Sequence, residues 1–98
     1  MPEVRQTPIF REWLESLSDR RAVERIAQRI VRVESGLMGD VKAVGDGVSE
    51  LRVDHGPGYR VYFVRRGAML VLLLCGGDKR SQQRDIRRAI ALAAQLED

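Results

Sequence analysis

Between Gly47 and Lys79 the chain reads GVSELRVDHGPGYRVYFVRRGAMLVLLLCGGDK, and this stretch limits the possible folds more than any other. It divides into three strands joined by two tight turns. Leu51 and Val53 alternate with Glu50, Arg52 and Asp54, and in extended chain successive side chains point to opposite faces of a sheet. The second strand repeats the device, with Tyr59, Val61 and Phe63 on one face and Arg60 and Tyr62 on the other. His55-Gly56-Pro57-Gly58 between them has two glycines that accept positive φ and a proline of fixed φ, so it predicts an antiparallel hairpin. That hairpin gathers Arg52, Arg60 and Tyr62 on one face. The third run, Ala68 to Cys75, is almost wholly apolar and predicts a strand covered on both faces. Gly76-Gly77 is expected to break it and to deliver Asp78, Lys79 and Arg80 at its end.

The flanks supply what such a sheet needs to bury. Val4 to Gln6 is a short candidate edge strand. Thr7-Pro8 reads as a helix start, with Thr7 as cap and Pro8 in the first turn, and Ile9, Phe10, Trp13, Leu14 and Leu17 follow at helical spacing. Ser18-Asp19 interrupts and is placed to cap a second helix. That helix, from Asp19 to Ser35, carries an apolar stripe of Val23, Ile26, Ala27, Ile30, Val31 and Val33, with Arg20, Arg21, Arg25, Arg29 and Arg32 outside and Gly36 as its stop. A short strand around Val41 to Val44 leads through Gly45-Asp46-Gly47 into the three-strand stretch. After it, Ser81 is placed to cap a last helix with apolar positions Ile86, Ala89, Ile90, Ala93 and Leu96. The order predicts an α+β fold: an N-terminal strand and a two-helix hairpin packed on a twisted, largely antiparallel sheet, plus a C-terminal helix. The helices are expected on one face, with a polar concave face left open.

With 98 residues, 44% hydrophobic and 32% charged, there is room for one domain, 1–98, with a core of its own. A single cysteine, Cys75, excludes an internal disulfide and sits in the most apolar run, as a buried thiol in a reducing compartment would. No secretory pattern and no membrane-length apolar run is present, so a cytoplasmic location is expected, with no membrane partner. The net charge of +3 understates a local asymmetry. From Arg60 to Arg88 the basic residues are Arg60, Arg65, Arg66, Lys79, Arg80, Arg84, Arg87 and Arg88, against Asp78 and Asp85 alone. Nucleic acid is the first partner that this charge suggests, and an acidic protein is the second. One histidine, one cysteine and scattered carboxylates make no metal ligand set, and Gly76-Gly77 lacks the pattern of a phosphate loop, so no metal and no cofactor is expected.

The runs GVSELRVDHGPGYRVYF and LLLCGGDKRSQQRDIRRA, preceded by TPIFREWLESLSD and GDVKAVGDGVSELR, resemble the RelE/ParE superfamily of toxins from bacterial toxin–antitoxin modules. The resemblance is in particular to its HigB-like branch, also described as addiction-module killer or phage Gp49-like proteins. The resemblance spans nearly the whole chain. It implies a microbial ribonuclease-like β-α-α-β-β-β fold with an added C-terminal helix. It also implies a type II toxin that cuts messenger RNA on the translating ribosome. The implied partners are a cognate helix-turn-helix antitoxin, the ribosome and its message, with operator DNA bound only through the antitoxin. ParE-type members share the fold and poison DNA gyrase by protein contact, so a gyrase-directed toxin is the alternative.

Cleavage at a 2′-hydroxyl needs a base, cationic donors for the charge on the phosphorane, and an acid for the leaving oxygen. The expected open face offers Arg52 and Arg60 as phosphate clamps, Tyr62 as an acid or stacking group and Glu50 as a base, with Lys79 reaching the same pocket. The resemblance points to Arg52 and Arg60 through the ELR and GYRVYF motifs and to Lys79 through GGDK. Arg65, Arg66, Arg80 and Arg84 are the candidate RNA-binding cations around them. His55 lies in a turn. The sequence departs from RelE-like toxins in having no tyrosine or histidine after Phe63, where such toxins carry a C-terminal one.

Overall fold

The structure, a computed structural model, describes residues 2–96. Its elements are β1 (Glu3–Gln6), α1 (Pro8–Ser16), α2 (Arg20–Glu34), β2 (Val41–Gly45), β3 (Val48–Val53), β4 (Tyr59–Arg66), β5 (Leu70–Asp78), a 3₁₀ turn (Lys79–Ser81) and α3 (Gln82–Gln95). One sheet takes the order β1-β5-β4-β3-β2, with β1 parallel to β5 and the other pairings antiparallel. The α+β class, the element order and the largely antiparallel sheet agree with the sequence reading.

Local chemistry sets the helix starts. Thr7 Oγ1 accepts from the Phe10 N–H at 3.0 Å and donates to the Leu74 carbonyl at 2.6 Å, so one hydroxyl caps α1 and ties it to β5. Asp19 caps α2 by accepting from the N–H groups of Arg21 and Ala22. The buried stripe of α2 is Ala22, Ile26, Ile30 and Val33. Val31, expected on that stripe, is 58% exposed, because the helix turns its neighbour Ile30 to the sheet instead. With Phe10 these residues cover Leu51, Val53, Tyr59, Val61, Phe63, Val71 and Leu73 on one sheet face. Burying each large side chain there contributes roughly 1.5–3 kcal/mol.

Three further expectations need correction. Gly76-Gly77 does not break the third strand, since β5 continues to Asp78 and pairs Gly76 with Val61 and Gly77 with Arg60. The glycines are there because of close approach: a Cβ on Gly76 would overlap the Trp13 ring, and one on Gly77 would overlap the Asp85 carboxylate. The second correction concerns the sheet's other face. It is not left open, because α3 crosses it and packs Ala89 and Ala93 against Val48, Tyr62, Val64, Leu74 and Cys75. The cap of this last segment also differs. Asp78 accepts from the Arg80 N–H at 2.8 Å and caps the 3₁₀ turn, while Ser81 makes no cap bond to α3 and turns its hydroxyl to Asp85.

Candidate functional site

The strand register assembles the polar end of the α3-covered face. Arg52 pairs with Arg60 and Arg60 with Gly77; in the next row Glu50 pairs with Tyr62 and Tyr62 with Cys75. Arg52, Arg60 and Lys79 are brought together with Asp40, Asp54 and the hairpin turn Gly56-Pro57-Gly58 around a hollow of about 350 Å³.

Each cation in the hollow is held differently. Arg52 donates from Nε at 3.1 Å and from Nη2 at 2.8 Å to Asp40 Oδ1. This bond pulls the Asp40 carboxyl below its ordinary pKa and raises that of Arg52. Arg29, expected to stay outside on α2, instead donates to the carbonyls of Arg52 at 2.5 Å and Met38 at 3.1 Å, strapping the loop before β2 to the end of β3. Its own pKa is lowered by burial.

Arg60 is the least satisfied cation. Its side chain is only 12% exposed, its Nε has no hydrogen-bond partner among the described residues, and Nη1 reaches the Tyr59 carbonyl at a long 3.4 Å. Glu50 Oε2 lies 3.9 Å from that Nε, beyond hydrogen-bond distance. The fully buried Glu50 carboxylate accepts from Gln82 Nε2 instead, at 3.1 and 3.0 Å. Lys79 is exposed at the start of the 3₁₀ turn, with no ion-pair partner among the described residues.

The remaining candidate residues separate into four places. Arg80 and Arg84 adjoin Lys79, and the three line a second hollow of about 770 Å³ with Asp78, Ser81, Gln82 and Gln83. Arg80 contacts Asp78 at 3.4 Å and Arg84 lies 3.9 Å from Asp85. Arg65 and Arg66 stand at the far end of β4, five and six residues and roughly 17–20 Å from Arg60 at the usual strand rise. Arg66 donates to the Ala93 carbonyl at 2.7 Å, so it holds the end of α3. Tyr62 lies beneath α3, fully buried, with its hydroxyl unpartnered among the described residues. Burial, reinforced by Glu50, raises the pKa of this phenol. His55 is drawn to the start of α2, where its Nε2 is 3.0 Å from Asp19 Oδ2; this contact lowers the Asp19 pKa.

Sequence reasoning did not single out Asp40, Asp54 or Gln82 for the site. Gln82 is an amide in the first turn of a helix, a position that ordinarily faces solvent. Nothing local marks it as the partner of a carboxylate 32 residues earlier.

With this geometry in view, residues 12–97 match the family described as Phage derived protein Gp49-like (DUF891). The chain belongs to the Gp49-like family. This is a toxin-like family. The Gp49-like chain is also similar to a protein of Haemophilus influenzae (strain ATCC 51907 / DSM 11121 / KW20 / Rd) described as an uncharacterized protein. The two are 47% identical over 94 residues, which cover 96% of this chain and 95% of the relative. The match begins inside α1 and takes in every residue of both hollows. Among the described residues, no helix of this Gp49-like chain is long and apolar enough to cross a membrane.

Proposed function

We propose that this Gp49-like protein is the toxin of a type II toxin–antitoxin module, of the RelE/ParE superfamily and its HigB-like branch. In this reading it is a cytoplasmic endoribonuclease that cuts messenger RNA on the ribosome and is neutralised by a cognate helix-turn-helix antitoxin. Operator DNA is bound only through that antitoxin. The observation that carries the reading is Arg60, a mostly buried guanidinium with five N–H donors and a single weak bond, facing a hollow shared with Arg52 and Lys79. Unspent cationic donors at the wall of a hollow suit a phosphodiester, which accepts several charge-assisted hydrogen bonds at once.

Arg60 and Lys79 hold the scissile phosphate, Arg52 orders the rim through Asp40, and Arg80 and Arg84 extend the contact along the strand of RNA. Arg65 and Arg66 are too distant to touch the same phosphate and would meet RNA only beyond it. Tyr62 acts in packing rather than in proton transfer, because α3 covers its hydroxyl. Asp54 is the hollow's carboxylate without a hydrogen bond among the described residues, and it is the available acceptor for the 2′-hydroxyl proton.

The withdrawal of Tyr62 from the hollow, together with the lack of any tyrosine or histidine after Phe63, favours a second reading. In it the protein is a ParE-like toxin that poisons gyrase by contact. Pulse labelling after induction of the chain alone separates the two. The ribonuclease reading expects protein synthesis to stop first, with new message ends inside codons. It also expects R60A/K79A to lose growth arrest while retaining its melting temperature and antitoxin binding. DNA synthesis stopping first, or a folded and still toxic double variant, would overturn it in favour of the gyrase reading.

A further inference from the structure

The arrangement around Glu50 raises a question of competition. A buried carboxylate 3.9 Å from a buried guanidinium would ordinarily close to a direct ion pair, since neither group is otherwise compensated in the sheet interior. Here the pair stays open, and both carboxylate oxygens are met by one amide, Gln82 Nε2, from the first turn of α3. The amide satisfies Glu50 without adding charge. Arg60 therefore keeps the electrostatic support of Glu50 while its Nε–H is left without a bond.

We infer that Gln82 is a positioning residue for the phosphate site: by occupying the Glu50 carboxylate it holds Arg60 unpaired, with its donors free for a phosphodiester of single-stranded RNA. This rests on the reading that Arg60 takes a phosphate. Without the Gln82 amide, the cation at hand for the Glu50 carboxylate is Arg60, whose Nε lies 3.9 Å away. The guanidinium would then be drawn back against β3 and its donors spent inside the protein. The position of α3 thus controls more than packing. Its first residue decides whether the central cation of the hollow is available.

The test compares wild type with Gln82→Met, which keeps the length of the side chain and removes the amide, and with the double variant E50Q/Q82M. Two signals are followed: the Arg60 Nε–H resonance in proton–nitrogen NMR, and the affinity for a short single-stranded 2′-O-methyl oligoribonucleotide, which cannot be cleaved. Gln82→Met is expected to move the Arg60 resonance to that of a carboxylate-bonded guanidinium and to weaken oligonucleotide binding about tenfold, the scale of one charge-assisted hydrogen bond. Removing the competing carboxylate in E50Q/Q82M is expected to restore both signals. An unmoved resonance in Gln82→Met, or weakened binding that the double variant does not recover, overturns the inference, since a merely structural loss at α3 would not be repaired by a second change. Where Gln82→Met does not fold, Glu50→Gln alone carries the test. The affinity is expected to stay near that of wild type there, because Gln82 already leaves Arg60 unpaired, and a clearly changed affinity overturns the inference. If the oligonucleotide leaves the wild-type Arg60 resonance unmoved, the phosphate reading of the hollow itself falls, and the role of Gln82 with it.

Discussion

The two faces of the sheet use the same strands to opposite ends. Beneath α1 and α2, β3 and β4 present Leu51, Val53, Tyr59, Val61 and Phe63, and the packing is closed by Phe10, Ile26 and Ile30. Beneath α3 the alternate residues of the same strands are Val48, Glu50, Arg52, Arg60, Tyr62 and Val64, half apolar and half polar. The buried side-chain polar atoms without partners among the described residues, Arg60 Nε, Tyr62 Oη and Arg66 Nε, all belong to this second face of β4. A buried polar atom left unpaired costs about 1–3 kcal/mol. The first face is built for stability, and the second gives some of it up to keep charged groups poised.

Substitutions can probe that contrast. The largest effect is expected on the dry face, where Phe10→Ala should cost about 3–5 kcal/mol in denaturant unfolding. A loss as small as that of a surface change would remove the distinction between the faces. Between the faces, Gly77→Ala should cost about 1–3 kcal/mol, because the new methyl group meets Asp85 and lifts the start of α3. On the poised face the sign should reverse. Tyr62→Phe deletes an unpaired buried hydroxyl and should raise stability by about 1 kcal/mol, with toxicity retained. A destabilised Tyr62→Phe would mean that the hydroxyl has a partner after all.

The remaining effects are smaller and depend on pH. Burial, with Asp85 nearby, pushes the Cys75 thiol up to about 11 from 9.0. The folded state therefore holds this proton more tightly than the unfolded chain, and the resulting stability is present below pH 9 and lost as pH rises toward 11. Thiol labelling at neutral pH should accordingly follow global unfolding, and Cys75→Ala should flatten the alkaline slope. The smallest effect lies at the acid end. Asp19 and Asp40 titrate below 3.8 in the fold, through the His55 contact and the Arg52 bond, so their contribution holds above that pH and fades as pH falls below it. Urea midpoints of Asp40→Asn between pH 5 and 2 should show a shallower decline than wild type.

Period-two alternation in LRVD and YRVYF was enough to place Arg52 beside Arg60 and to separate them from the core, because a sheet leaves each residue only two directions. The helix caps Thr7 and Asp19 could be read for the same local reason. What could not be read depends on distant partners. Gly76-Gly77 looks like a turn until Trp13 and Asp85 are known to press on its two sides. Likewise, α3 has too much alanine and charge to show by pattern alone which face it covers, and this choice decides whether Glu50 and Tyr62 are exposed or buried. Arg29 reads as one more surface arginine, since its targets are backbone carbonyls, which leave no mark in a sequence.

The pairing of β1 with β5 carries a consequence for the order of events during synthesis. Glu3 to Gln6 find their partners at Leu70 to Leu73, and the Thr7 hydroxyl is tied to a carbonyl 67 residues later. Contacts of such long separation form late, since loop closure comes before any gain from them. The first strand and the helix it leads into must therefore wait, without their permanent partner, until nearly three quarters of the chain has been made. The polar hollow is thus completed within a few residues of the sheet itself, since Lys79 and Gln82 come directly after β5 ends at Asp78.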